Sequence, residues 1–202
     1  MLETNFKLLS QNFSTQTELI KQLWMEIEIF HNTPTRHYHT LQHLANIDKE
    51  RKKIKLNFEE DTIFQFATYY HDIIYNIESK NNEKESAILA KKRLYQLEVP
   101  NYIINEVCEL INLTKMHKKI EKRVHAYFLD ADLAILGASP KEYQRYIKQI
   151  REEYRVYNET IYNRGRQKVL KNFIEKKELY QTDYFRDRYE KQARENIKNE
   201  YN

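Results

Sequence analysis

Two glycines and three prolines in 202 residues leave this chain few ways to bend sharply, and that scarcity constrains its fold more than any other feature. Glycine supplies the left-handed backbone that tight hairpins need, and proline punctuates strands and loops. A chain poor in both, and rich in Lys, Glu, Leu, Ile and Gln, reads as mostly helical. No stretch alternates apolar and polar residues as a half-buried strand does. The sequence therefore predicts an all-α fold: one helical-bundle domain over residues 1–202, with its core from about 15 to 197. Hydrophobic residues make up 41% of the chain, enough for a packed core at this length.

The same composition removes several functions. There is no dinucleotide fingerprint and no Gly-Lys-Ser/Thr phosphate loop, so any phosphate must be handled by side chains or a metal. Cys108 is the only cysteine, which excludes an internal disulfide and any multi-cysteine zinc site. Its neighbours Val107, Leu110 and Ile111 predict a small buried side chain. No apolar run reaches the roughly 20 residues that span a bilayer, and the N-terminus carries no signal-peptide pattern. A cytoplasmic location and no membrane partner are the expectation. The net charge of +4 is mild. The basic run Lys49 to Lys55 reads as a solvated helix end. In the last third, basic residues alternate with Glu, as on an ion-paired exposed helix, so nucleic acid is not the expected partner.

Helix punctuation orders the chain. Thr15 and Glu18 have the spacing of a capping box ahead of the stripe Leu19, Leu23, Ile27, Phe30. A second helix is expected from about His39 to Lys52 and a third from Glu60 to Ile74. Asn82 is placed to cap a fourth, and Pro100 suits the first turn of a fifth. A sixth is expected over Val124–Leu136. Gly137 then fits a helix C-cap, Ser139 an N-cap and Pro140 the first position of the next helix. Tyr-rich helices follow, one starting at Thr182.

Three histidines, His37, His39 and His43, crowd into "RHYHTLQH", although the chain has only seven. On a helix, His39 and His43 would share one face. "YYHDIIYN" sets His71 beside Asp72 near the end of an apolar helix. "YFLDADLAILG" sets Asp130 and Asp132 in another. A carboxylate there needs a cation or donors. Asp132 falls on the larger apolar face, with Phe128, Leu129, Ile135 and Leu136, and has the stronger need of an internal partner; Asp130 is the alternative. His43, His71, Asp72 and Asp132 thus form a candidate ligand set. Two imidazoles and two carboxylates suit Mn, Fe, Ni, Co or Zn, with Mg less natural beside histidine and expected only at a second site. Such an ion would activate water.

In this order, His, then His-Asp, then Asp, the chain resembles the HD superfamily of metal-dependent phosphohydrolases. The ordered pieces "RHYHTLQHL", "YHDIIYN", "NNEKESA", "LTKMH", "FLDADLAILGASP" and "IREEY" look like one predicted HD phosphohydrolase subgroup and cover about residues 15–197. The resemblance implies an HD-type helical domain. Its Ala-Asp-x-Leu-like segment matches Ala131-Asp132-Leu133. "YHTLQH" is also similar to the Tyr-His-Asn-x-x-His segment of cyclic-nucleotide phosphodiesterases, which implies His43 as ligand and His39 as general acid or as a residue behind the ligands. The catalytic group would be His39, Asp72 and Glu83, with Glu83 orienting water or serving as an ordinary first-turn acid. Arg36, Lys115, His117 and Arg151 would bind substrate phosphate, with a second metal or a plain surface position as the alternatives for His117 and pairing with Glu152 or Glu153 as the alternative for Arg151. His31, His37 and His125 are assigned to structure or surface.

The resemblance implies an enzyme: attack of metal-activated water on a phosphate ester or anhydride of a nucleotide or similar small molecule. Two alternatives carry the same ligands: an HD-fold metal oxygenase, with His117 and Glu83 as extra ligands, and a low-turnover metal- or nucleotide-binding regulatory module. The substrate and any homo-oligomer stay open.

Overall fold

A computed structural model describes residues 1–116 and 120–201. Among the described residues the regular structure is all helical: ten α-helices, one 3-10 turn and no strand. No described helix is long and apolar enough to cross a membrane. The helices fall into two compact units, Met1–Lys118 and Lys119–Asn202.

The first unit holds α1 (Leu2–Gln11), α2 (Thr17–His31), α3 (Leu41–Arg51), α4 (Phe58–Tyr70), α5 (Asn82–Gln96) and α6 (Asn101–Leu113). Within it α6 packs on α4 and α5, α1 on α2, and α3 on α4. Phe6, Trp24 and Tyr69 join α1, α2 and α4 through tilted and edge-on rings. Such pairs are favoured beyond the area they bury. Arg93 of α5 donates to Glu26 of α2 at 2.8 Å.

Helix starts follow side-chain caps where these form. Asn57 and Glu60 make a reciprocal capping box for α4, which begins at Phe58, two residues before the expected start. The box expected at Thr15 is not made. The Ser14 hydroxyl accepts from the Gln16 N–H at 3.3 Å, and α2 begins at Thr17 behind Gln16. Asn82 is the first residue of α5, and its side chain turns back to the Asn76 backbone. Pro100 stands at the N-cap of α6, one place earlier than expected. Cys108 is half-buried, its thiol against the Ala87 carbonyl.

The second unit holds α7 (Arg123–Asp132), the 3-10 turn Leu133–Gly137, α8 (Pro140–Glu153), α9 (Glu159–Ile174) and α10 (Asp183–Tyr201). The sixth expected helix therefore stops four residues early and tightens into the turn. Ser139 and Pro140 form the expected start of α8, and Glu142 adds a capping box beyond that expectation. Gly137 has a different reason from the expected C-cap. It has no positive φ, but a Cβ there would lie 2.6 Å from the Tyr189 Cβ and 2.7 Å from its carbonyl oxygen. Glycine lets α10 approach the turn. Asn196 of α10 then donates to the Leu136 and Ala138 carbonyls at 2.8 and 2.9 Å. Arg166 of α9 and Tyr143 of α8 converge on Glu200 of α10.

Candidate metal centre

The His-rich segment is not helical where the spacing predicts it. Thr40 caps α3, its hydroxyl accepting from the Gln42 N–H, so the helix begins at Leu41. His43 lies in its first turn, and His39 lies before it. The rings still meet, with centroids 5.6 Å apart, because the turn from Tyr38 to Thr40 folds His39 back. Likewise α4 ends at Tyr70, so His71 and Asp72 stand just beyond it.

That second segment is pinned from several sides. The Ser86 hydroxyl bonds both the N–H and the carbonyl of Ile74. Asn82 brackets Asn76 in the same way. Arg36, only 6% exposed, donates to the carbonyls of His39 (3.1 Å), Asp72 (2.7 Å) and Ile73 (2.8 Å). One guanidinium therefore clasps the two site segments together. These charged bonds satisfy carbonyls that no helix covers.

The clasp brings four side chains together. Nε2 of His43 is 3.1 Å from Nε2 of His71. Oδ2 of Asp72 is 3.1 Å from Nε2 of His71, 3.8 Å from Nε2 of His43 and 3.9 Å from Nε2 of His39. His43 and His71 are buried, whereas His39 and Asp72 are each 19% exposed and give the cluster an open side.

The tautomer of His71 decides what the cluster can do. Its Nδ1 lies 3.2 Å from the Thr68 carbonyl, which can only accept. Nδ1 therefore carries the hydrogen, and neutral His71 turns the lone pair of Nε2 toward Asp72 and His43. A lone pair 3.1 Å from a carboxylate oxygen calls for a cation between them. A divalent ion about 2.1 Å from each donor sets neighbouring donors about 3.0–3.4 Å apart. The two 3.1 Å separations from His71 fit, the 3.8 Å between His43 and Asp72 is wider, and the Thr68 carbonyl is the backing group that metal-bound imidazoles usually have. These residues can hold a metal ion. Burial opposes ionisation of Asp72, but where the imidazoles carry a proton in place of an ion, His71, His39 and His43 hold its carboxyl well below the usual range.

Other expected site residues are placed as follows. Glu83, in the first turn of α5, pairs with Lys115 at 3.2 Å, and Lys115 also donates to the Lys80 carbonyl. His117 lies outside the described residues. Arg151 donates to the carbonyls of Tyr154 and Tyr157 and covers the Tyr162 ring, closing the end of α8. Asp130 is 1% exposed and accepts from the Gln181 N–H, the Thr182 N–H and the Thr182 hydroxyl at 2.7–2.8 Å. Asp132 ends α7 and is half-buried. The greater need for an internal partner thus falls on Asp130, contrary to the face reading. Ile135 and Leu136 lie on a 3-10 turn, where helical spacing no longer holds. Burial pushes the Asp130 carboxyl up to about 6 against those hydrogen bonds.

Several contributors were not expected from the sequence. Tyr38 stands edge-on to His39 and tilts over His43. Tyr75 stacks on His39 at 4.2 Å. Ser86 and Asn82 lie in the motif "NNEKESA", where the sequence points to Glu83 as a site residue and to Asn82 only as a helix cap. His31 is fully buried, its Nδ1 bonded to the Ile27 carbonyl. Burial first, then Arg36, brings its pKa down to about 3. His125 is also buried, which excludes a surface role.

No protein-family model, curated protein or solved structure matches the chain.

Proposed function

We propose that this chain is a metal-dependent phosphohydrolase of the HD type, acting on a nucleotide or a similar small phosphate. The observation that carries this reading is the set of ligand atoms of His43, His71 and Asp72 converging at 3.1–3.8 Å, with His39 at their open side. Asp132 is the proposed fourth ligand on the strength of the sequence resemblance, and Asp130 is left to its three donors. Mn, Fe, Ni, Co and Zn fit this mixed donor set.

When bound, such an ion supplies Lewis acidity: it lowers the pKa of water and offsets charge on the phosphoryl oxygens. The chain's own residues do the rest. Thr68 fixes the His71 ring. Arg36 fixes the backbones of His39 and Asp72 and adds positive charge behind the site. Its nitrogens serve those carbonyls, so its help to substrate phosphate is electrostatic. His39, as imidazolium, is stabilised by the Asp72 carboxylate 3.9 Å away. The water gives up one proton to solvent, and as the resulting hydroxide bonds to phosphorus, the bond to the leaving oxygen breaks and its electron pair goes to that oxygen. The Nε2 proton of His39 follows it. Lys115, drawn from Glu83, is a further phosphate contact, and Glu83 is then released to orient water. Arg151 is occupied at the end of α8 and has no part here.

The test is hydrolysis of a nucleotide panel and of bis(p-nitrophenyl) phosphate in Mn²⁺ by the wild type and His39→Ala. The proposal expects turnover that falls about 100-fold or more in the variant while metal content is kept. Metal without turnover on any phosphate would overturn the hydrolase assignment in favour of oxygenase or regulatory chemistry.

A further inference from the structure

His39 lies just ahead of the Thr40 cap of α3, outside the helix, so no helix turn fixes its ring. His43 is held by α3, and His71 and Asp72 follow directly on α4. The backbone of His39 is fixed by Arg36, whose Nη1 binds its carbonyl at 3.1 Å. That bond does not fix the ring, which turns about its own side-chain torsions. The ring is held by aromatic neighbours. Tyr38 meets it edge-on at 5.0 Å, and Tyr75 stacks on it at 4.2 Å with an interplanar angle of 30°. Tyr38 is the adjacent residue and moves with the same turn. Tyr75 belongs to the segment after Asp72, which Ser86, Asn82 and Arg36 pin. It also lies 5.4 Å from the Arg36 guanidinium carbon, so the group that fixes the His39 backbone fixes the Tyr75 ring as well.

We propose that Tyr75 is a positioning residue for proton transfer: its ring holds the His39 imidazole at the open side of the ligand cluster, tying the proton donor to the segment that carries Asp72. This rests on the hydrolase reading and deepens it. The ring face does the work, so Phe can replace Tyr and an aliphatic side chain cannot. Tyr75 touches neither metal nor substrate, so its loss lowers turnover without lowering metal content. The loss is largest where the leaving oxygen needs a proton. A nitrophenolate departs with little help, whereas a phenolate needs more.

The experiment compares wild type, Tyr75→Leu and Tyr75→Phe in Mn²⁺ on the p-nitrophenyl and phenyl esters of thymidine 5′-phosphate. Metal content is measured alongside, and the His39 ring-proton resonance is followed in metal-free protein. Tyr75→Leu should lower kcat about 10- to 100-fold on the phenyl ester and under about 3-fold on the nitrophenyl ester. Metal content should hold, and the His39 resonance should lose the shift that a stacked ring imposes. Tyr75→Phe should keep wild-type values throughout. Equal losses on both esters, loss of metal, or an unmoved His39 resonance would each overturn the proposal while leaving the hydrolase reading in place. A wild type inactive on both esters, and on the nucleotide panel, would overturn both.

Discussion

The Nε2 atoms of His43 and His71 lie 3.1 Å apart, and the Thr68 carbonyl bonded to the far side of His71 makes that spacing consequential. Two imidazoles at this distance share one hydrogen or one cation. With His71 Nδ1 committed, and Asp72 an equal 3.1 Å away, a shared cation satisfies all three groups.

Arg36 is the clasp that makes this spacing possible. Arg36→Met keeps the apolar stem and removes the donors to three carbonyls. Charged hydrogen bonds at buried groups are individually strong, so the variant should lose about 3 kcal/mol of stability by urea unfolding. Its metal affinity should fall as well, by about 10-fold or more, because the segments bearing His39 and Asp72 are no longer tied. Wild-type stability in Arg36→Met would show that other contacts hold the two segments.

Asp130 and Asp132 should separate cleanly. Asp130→Ala removes the acceptor of three hydrogen bonds at the start of α10 and should destabilise by about 2–3 kcal/mol. Asp132→Ala should lower the metal content. Paired unfolding curves and metal analysis read both. Asp130→Ala losing metal with its stability intact would assign the ligand to Asp130 instead.

His31 sets a pH dependence. An unfolded imidazole titrates near 6.5, and in the fold burial and Arg36 bring it down to about 3. Between those values the unfolded chain binds the extra proton. The stability contributed by neutral His31 is therefore fully present above about pH 6.5 and is lost as pH falls toward 3. The slope from this one group is about 1.4 kcal/mol per pH unit. His31→Phe should flatten the stability curve of metal-free protein by that amount between about pH 6 and pH 4.5, read from urea midpoints. Parallel curves for wild type and variant would contradict a buried neutral imidazole.

Legibility in the sequence varied with the range of the force involved. Helix class followed from scarce glycine, and the start of α8 from Ser139 and Pro140, because capping is settled within one turn of chain. The residues His39, His43, His71 and Asp72 stood out by spacing, and they do gather. Their setting did not. Thr40 took the cap of α3 and left His39 outside it, and α4 stopped at Tyr70. What holds these segments is long-range: Arg36 reaching Asp72 and Ile73, Ser86 reaching Ile74, Tyr75 reaching His39. No local pattern reports such pairings. Arg36 drew notice for its charge, which suits phosphate, whereas its burial turns the same charge toward carbonyls. Gly137 read as a helix stop, but its reason is Tyr189, more than fifty residues on.

The most direct test is the metal content of purified protein, measured by mass spectrometry for the wild type, His43→Ala and Asp72→Ala, with folding checked by circular dichroism. The convergence of ligand atoms predicts bound transition metal in the wild type, near one ion per chain or more. It predicts a loss of about 10-fold or more in each folded variant. A wild type that takes up no Mn, Fe, Ni, Co or Zn, or an Asp72→Ala protein that keeps a full complement, would contradict the metal centre.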